Sequence, residues 1–124
     1  VVGRDFTKSQ RLVKKLGGEA MELDDLSQVA KDIKLIFNAT SVSSIHEGLE
    51  LATSVQKMAP KNCELVFDLN YDKPDNFWQD LAQKHESEFK DGLVALAHQG
   101  SQTLALWTGT SIDPKEFLLA LAQT

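Results

Sequence analysis

The 124-residue sequence is poor in residues that cross-link a chain or bind metal, with a single cysteine, Cys63, and three histidines. One cysteine excludes an intramolecular disulfide, and no cysteine or histidine spacing is typical of a zinc site. We expect Cys63 to be buried or half-buried beside a strand. No apolar run approaches the roughly 20 residues that a transmembrane helix needs, and no signal peptide opens the sequence. These absences predict a cytoplasmic protein.

The sequence also lacks a glycine-rich phosphate loop of the G-x-G-x-x-G kind, and its net charge is −5. An acidic chain does not favour nucleic acid as the main partner. The amino-terminal basic run has no interleaved aromatic residues, which weakens a nucleic-acid interpretation further. That run consists of Arg4, Lys8, Arg11, Lys14 and Lys15.

Short apolar runs alternate with amphipathic helical patterns, which is typical of a parallel sheet with crossover helices. Five runs predict strands, at residues 1–2, 19–23, 34–38, 64–68 and 86–90. No linker or repeat interrupts this alternation. The sequence therefore predicts one α/β domain over residues 1–124, with helices at its carboxyl end.

Helix starts are marked by side chains that cap free backbone amides. Thr7 with Gln10, and Ser44 with Glu47, have the spacing of capping boxes. The first helix should end at the glycine pair 17–18. The aspartate and proline at 113–114 predict the start of the last helix.

The longest pattern, from Asp91 to Gly109, predicts the end of a strand followed by a long helix. Gly92 and Gln99 are seven residues apart, about 700° of rotation and roughly 10 Å of rise, so both lie on one side. Glycine lets a ligand approach the backbone, and a carboxamide can bind a polyol. A buried helix with a surface glutamine is the plainer alternative. The core-facing stripe should consist of Leu93, Leu96, Ala97, Gly100, Leu104 and Trp107.

Ligands of an open parallel sheet bind beyond the carboxyl ends of its strands, and four predicted strand ends carry suitable residues. At the first, Arg4 and Lys8 flank a helix N-terminus and suit a phosphate, although a solvated basic face has the same pattern. The second is the polar segment 38–41, which binds a ligand or simply forms a turn. The third is 69–71, with a tyrosine, and the fourth is 91–92.

Together these four strand ends resemble the cofactor domain of the shikimate dehydrogenase family in order and spacing. NATS at 38–41 is the family's motif, and GRDFTK at 3–8 is similar to its motif of Asn, Arg, Thr, two variable residues and a basic residue. VFDLNYDKP at 66–74 resembles a segment that ends in a substrate-contacting tyrosine. DGLVALAHQG at 91–100, with WTG at 107–109, resembles the closing signature. The resemblance covers the chain and implies a Rossmann-like three-layer αβα fold with a mostly parallel sheet.

The resemblance also implies roles for individual residues. Tyr71 and Gln99 would contact the substrate, and neither a catalytic residue nor a metal ligand is expected in the chain. Asp5 replaces a threonine beside the 2′-phosphate position, where a carboxylate repels phosphate and favours a bare ribose diol. The cofactor, NADP with NAD as the alternative, would be bound by Arg4, Asp5, Lys8, Asn38, Ala39, Thr40, Ser41, Leu69 and Gly92.

Three parts of the family are absent from the sequence: the glycine loop, the central first strand, and the amino-terminal substrate domain that handles the hydroxyl proton. We therefore expect a carboxyl-terminal part of a longer enzyme, inactive alone, with a gap in its sheet. The intact parent would reversibly reduce 3-dehydroshikimate to shikimate in aromatic amino-acid biosynthesis, and a homodimer is compatible with this. The alternatives are an NAD-using quinate/shikimate dehydrogenase, a fusion with 3-dehydroquinate dehydratase, and a non-catalytic regulatory relative.

Overall fold

The computed structural model of the chain describes residues 1–121, apart from the side chains of Val29 and Ala30. The last three residues of the predicted 1–124 domain lie outside this described part. Between α1 and β1 the chain also makes two short 3-10 turns, Leu23–Asp25 and Ala30–Asp32. In chain order the helices and strands are α1 (Phe6–Leu16), α2 (Leu26–Val29), β1 (Leu35–Asn38), α3 (Leu49–Gln56), β2 (Leu65–Asp68), α4 (Phe77–Lys84), β3 (Glu88–Lys90), α5 (Gly92–Thr108) and α6 (Pro114–Leu121).

The three strands form a parallel sheet in the order β1-β2-β3. Asn38 is the register partner of Asp68, and Phe67 is the partner of Lys90, so the carboxyl ends of the strands meet at one edge. This confirms the predicted α/β class with a parallel sheet. Within residues 1–121 no helix is long and apolar enough to cross a membrane.

The prediction of five strands is wrong, because the first two predicted strands reduce to a single parallel bridge between Val2 and Met21. A two-stranded ladder this short is marginal unless a further strand supports it. Between this bridge and strand β1 lies a cavity of about 410 Å³, lined on one side by Val1 and Val2 and on the other by residues 35–37. The cavity lies where the sequence predicts a gap in the sheet.

The two faces of the sheet are covered unequally. In β1 the side chain of Ile36 is buried, whereas Leu35 and Phe37 are 51% and 61% exposed, as the two-residue period of a strand requires. The buried face joins helices α3 and α4 in one hydrophobic core. Cys63 is a buried free thiol just before β2, as predicted.

Helix α1 begins one residue after its cap, Asp5, whose Oδ1 accepts a 3.1 Å hydrogen bond from the Lys8 amide. The predicted capping box at Thr7 and Gln10 is therefore wrong. Asp5 has extended backbone angles, and aspartate caps a helix at least as well as threonine. As predicted, the helix ends at the glycine pair 17–18, and both of these residues have positive φ.

Helix α3 begins at Leu49 and not at Ser44, so this predicted start is also wrong. Residues 45–47 form a turn. The Glu47 carboxylate reaches back to the amides of Ser43 and Ser44, at 2.8 and 3.1 Å, as the acid of a capping box does. The chain then becomes extended at Gly48, the N-cap of α3, which separates the turn from the helix.

Helix α5 matches its predicted boundaries, and helix α6 matches its predicted start. The side chain of Asp91 caps α5, and Gly109 ends it in the left-handed conformation, with φ 71°. α6 begins at Pro114. The predicted core-facing stripe is wrong for Trp107, whose side chain is 82% exposed. Helical spacing predicts which residues lie on the same face of a helix. It does not predict how far along the helix that face is buried, because this depends on where the neighbouring elements pack.

Candidate functional site

The edge of the sheet where the strands end is organised by one fully buried carboxylate, Asp68. Its Oδ1 accepts hydrogen bonds from Nδ2 of Asn38 at 2.8 Å and from the amide of Asn70 at 3.0 Å. Its Oδ2 accepts from Oγ of Ser43 at 2.6 Å and from Nδ2 of Asn76 at 2.7 Å. A buried charge is costly unless hydrogen bonds compensate it, and here both oxygens are satisfied.

Asp68 and Asn76 were not among the predicted site residues. One signal was available in the sequence. Strand β2 is apolar until it ends in an aspartate, and strand β1 ends in a polar residue, Asn38, at the equivalent position. Those two residues are register partners, so the same buried face carries both. The network joins the ends of two strands to the start of α4, and thereby sets the positions of the loops above the sheet.

Asn38, the first residue of the NATS segment, is 2% exposed and uses its whole side chain inside the protein. Besides Asp68, its Nδ2 donates to the Val42 carbonyl at 2.9 Å. Its Oδ1 accepts from the Thr40 amide at 3.0 Å and from the Thr40 hydroxyl at 2.7 Å. Asn38 therefore shapes the turn, while residues 39–41 are exposed above it.

The first and second predicted strand ends face one cleft of about 510 Å³. Gly3 and Arg4 line one side, and Thr40 and Ser41 line the other. Gly48 and the first turn of α3 complete the wall. The fold thus brings together two groups of residues that are more than 30 positions apart in the sequence.

The third and fourth strand ends meet each other, but neither contributes a residue to this cleft. Gly92 is buried, and its amide donates a 2.9 Å hydrogen bond to the Asn70 carbonyl. A Cβ atom at Gly92 would lie 2.0 Å from the Leu69 carbonyl oxygen. The glycine is therefore required for the close approach of α5 to the loop after β2, while Leu69 itself is 48% exposed.

Tyr71 and Gln99, the predicted substrate contacts, are both exposed. Tyr71 lies in the loop between β2 and α4, and Gln99 lines a shallow groove between α5 and α6. The structure does not place either residue in the cleft beside Arg4. Within residues 1–121 the Tyr71 hydroxyl and the Gln99 carboxamide have no hydrogen-bond partner, which leaves both side chains available to a ligand.

An ion pair between Glu47 and Lys73 ties the turn after the NATS segment to the loop after β2. The hydrogen bond from the Lys73 ammonium, with those from the amides of Ser43 and Ser44, lowers the pKa of Glu47 to about 2. Glu47 is consequently charged at neutral pH. The two loops that follow β1 and β2 are thus connected twice, through the buried carboxylate of Asp68 and through the Glu47–Lys73 ion pair nearer the surface.

A parallel sheet with crossover helices and a cleft beyond its strand ends defines a Rossmann-like α/β protein. The structure of shikimate 5-dehydrogenase from Thermus thermophilus, in complex with NADP(H) and shikimate, superposes on 99% of this chain and 44% of its own. The TM-score is 0.77 and the sequence identity is 26%. No protein-family model matches the chain.

The NADP(+) shikimate dehydrogenase of Psychrobacter arcticus is 25% identical over 131 residues, covering all of this chain and 43% of that protein. The enzyme of the same name from Streptococcus thermophilus is 33% identical over 97 residues, covering 76% and 33% respectively. The chain thus spans less than half the length of these relatives. The resemblance to the shikimate dehydrogenase family is confirmed along the whole sequence, and these relatives are oxidoreductases.

Proposed function

We propose that this chain forms the nicotinamide-cofactor-binding part of a shikimate dehydrogenase-like enzyme. The observation that supports this most strongly is the shared cleft of Arg4, Thr40 and Ser41 at the carboxyl edge of a parallel sheet. Crevices at this edge are where open α/β sheets bind their ligands. The cleft's volume of about 510 Å³ lies within the usual range of small-molecule sites.

In this proposal the two ends of the cofactor contact different residues of the chain. Arg4, Asp5 and Lys8 hold the adenosine ribose, and residues 39–41 with Leu69 and Gly92 border the nicotinamide. Asn38 acts indirectly, since its buried carboxamide fixes the turn that presents residues 39–41. NADP is the cofactor named for the relatives, and NAD is the alternative.

The residues present fit the two nucleosides better than the pyrophosphate between them. The sequence holds no glycine-rich loop to receive that group. Its relatives are more than twice as long as this chain, so we assign pyrophosphate binding to residues of a longer polypeptide. When bound, the cofactor supplies the hydride chemistry, and the protein supplies binding and orientation.

Tyr71 and Gln99 would contact shikimate or 3-dehydroshikimate from the loop after β2 and from α5. A phenol and a carboxamide without internal partners suit a ligand rich in hydroxyl groups. The whole enzyme would interconvert these two acids. We expect the 124-residue chain to be inactive by itself, because none of its residues is assigned to proton transfer.

The test is titration of NADPH and NADH into the gene product that carries these residues. Ser41→Phe adds bulk to the wall of the cleft and leaves the side chains of Asn38 and Thr40, which hydrogen-bond within the turn, unchanged, so we expect it to abolish binding. Ser111→Phe places the same bulk on an exposed loop away from the cleft and should leave binding unchanged. Equal binding by the two variants would remove the cleft from the proposal. Binding without turnover of shikimate would favour the non-catalytic relative.

A further inference from the structure

The Asn70 carboxamide, in the loop after β2, is bonded to the neighbouring loop after β1. Its Nδ2 lies 2.8 Å from the Thr40 carbonyl oxygen and 2.9 Å from Oγ of Ser43. It also lies 3.0 Å from Oδ1 of the buried Asp68. Ser43 donates its own hydroxyl hydrogen to Asp68, so all three neighbours of Nδ2 are acceptors. This position therefore requires a hydrogen-bond donor.

Thr40, which lines the cleft, is held from two sides. Its amide and its hydroxyl donate to Oδ1 of Asn38, two residues earlier in the chain. Its carbonyl accepts from Asn70, which lies 30 positions further on. Asn38 therefore determines the internal shape of the turn, whereas Asn70 determines where the turn lies relative to the loop after β2.

The main chain of Asn70 holds the start of helix α5. Its carbonyl oxygen accepts a 2.9 Å hydrogen bond from the amide of Gly92, the first residue of α5. A Cβ atom at Gly92 would lie 3.2 Å from the Asn70 carbonyl carbon, so the helix and the loop are in close contact. The Asn70 amide donates to Asp68 at 3.0 Å, which anchors the loop to the sheet. One residue thus contacts the cleft-lining turn through its side chain and helix α5 through its backbone.

These contacts join the two halves of the proposed site. In the proposed function residues 39–41 border the nicotinamide, while Tyr71, directly after Asn70, and Gln99, on α5, contact the substrate. Two reacting groups must lie about 3 to 3.5 Å apart, and a misplacement of roughly 1 Å costs on the order of 100-fold in rate. Within the described residues, Asn70 is not part of the lining of the cleft, so it acts there through the residues that it holds.

We propose that Asn70 is a positioning residue, which fixes the turn that borders the nicotinamide relative to the substrate contacts beside it and on α5. This inference rests on the proposed function, since it concerns how the two halves of the same site are placed. Loss of the Asn70 carboxamide consequently slows the reaction more than it weakens the binding of either ligand.

The first test compares Asn70→Ala with Asn62→Ala, which shortens an exposed asparagine in the loop before β2. In the gene product that carries these residues, Asn70→Ala should lower kcat for shikimate oxidation about tenfold or more. The Kd values of the nicotinamide cofactor and of shikimate, from calorimetric titration, should change by less than about threefold, because Asn38 still shapes the turn. Asn70→Gln retains the donor and should recover part of kcat, and Asn62→Ala should match the wild type.

Amide hydrogen exchange tests the same link without a ligand. Asn70→Ala should raise the exchange rate of the Gly92 amide about tenfold, since the loop that accepts its hydrogen bond is no longer held at Thr40. The Thr40 amide, which is bonded to Asn38, should exchange as in the wild type. Asn62→Ala should leave both rates unchanged.

The results that would overturn the inference differ from those that would overturn the proposed function. An unchanged kcat in Asn70→Ala, with or without a rise in Kd, would remove the positioning role and leave the cofactor site in place. Unchanged exchange at Gly92 would remove the link to α5, and loss of the fold in Asn70→Ala would make the role structural. A wild type that binds no nicotinamide cofactor, or does not oxidise shikimate, would overturn both.

Discussion

Nδ2 of Asn76 donates a 2.7 Å hydrogen bond to the buried carboxylate of Asp68, while Oδ1 of Asn76 accepts from the amide of Trp78 at 2.9 Å. One carboxamide thus joins the end of strand β2 to the first turn of helix α4. Both groups lie beneath the loops that line the proposed cofactor cleft. The hydrogen bonds that stabilise this edge of the sheet therefore also set the positions of those loops.

Replacing Asp68 with alanine should lower the free energy of unfolding by about 3 kcal/mol, because several buried donors lose their acceptor at once. Urea denaturation of wild type and variant measures this. Asp80→Ala removes an exposed aspartate from α4 and should change stability by less than about 0.5 kcal/mol. A similarly small loss of stability at both positions would show that the hydrogen bonds to Asp68 do not stabilise the fold.

Acid should weaken the ion pair between Glu47 and Lys73. The pKa of Glu47 is lowered from its ordinary value of 4.5 to about 2 in the folded chain, so its stabilising effect is complete above pH 4.5 and is lost as the pH falls towards 2. Between pH 6 and pH 3 the wild type should lose more stability than Glu47→Gln. Glu50→Gln is the control and should follow the wild type. Parallel losses in wild type and Glu47→Gln would contradict the ion pair.

Gly92→Ala should destabilise the chain by about 2 to 3 kcal/mol, since a Cβ atom there would lie 2.0 Å from the Leu69 carbonyl oxygen and the backbone would have to move. Gly100→Ala is the matched substitution in the same helix. Its Cβ would lie 3.1 Å from the Phe117 ring, which can shift, and alanine is the better helix former by about 1 kcal/mol. Thermal unfolding of both variants should therefore show a clear loss for Gly92→Ala alone.

The two tryptophans should differ sharply in their effect on stability. Trp78 is 5% exposed and its Nε1 donates to the Val42 carbonyl at 3.2 Å, whereas Trp107 is 82% exposed. Trp78→Ala should cost about 3 to 5 kcal/mol, and Trp107→Ala less than about 0.5. Acrylamide quenching of the remaining tryptophan gives a second measurement. Strong protection of Trp107 from quenching would contradict the exposed position of the end of α5.

Local sequence was sufficient for most of the secondary structure. The apolar runs of β1 and β2 are too short for helices and end in polar residues, and both became strands. The ends of α5 follow from its flanking residues. The Asp91 side chain caps the free amides at the N-terminus, and Gly109 adopts the left-handed conformation that ends the helix. The predicted start of α1 was wrong because Asp5 and Thr7 lie close together in the sequence and either side chain can cap a helix.

The sequence also predicted several of the residues that line the cleft. The positions of Arg4 and of residues 39–41 followed from the rule that strand ends carry sites, and the fold placed them on one cleft. The sequence pattern did not show that the Asn38 carboxamide is fully hydrogen-bonded within the protein. The partners of its carboxamide include Asp68, 30 residues away, and no local spacing records that contact.

The sequence by itself determined the α/β class, most helix and strand positions and the resemblance to shikimate dehydrogenases, because these depend on short-range periodicity, caps and motifs. Only the tertiary structure decided three other matters: the buried network on Asp68, the exposure of Trp107 and the cleft that Arg4 shares with Thr40 and Ser41. Each of these depends on side chains that are distant in sequence. Burial, hydrogen-bond partners and local charge are properties of the packed chain, and they exist only once the strands and helices have assembled.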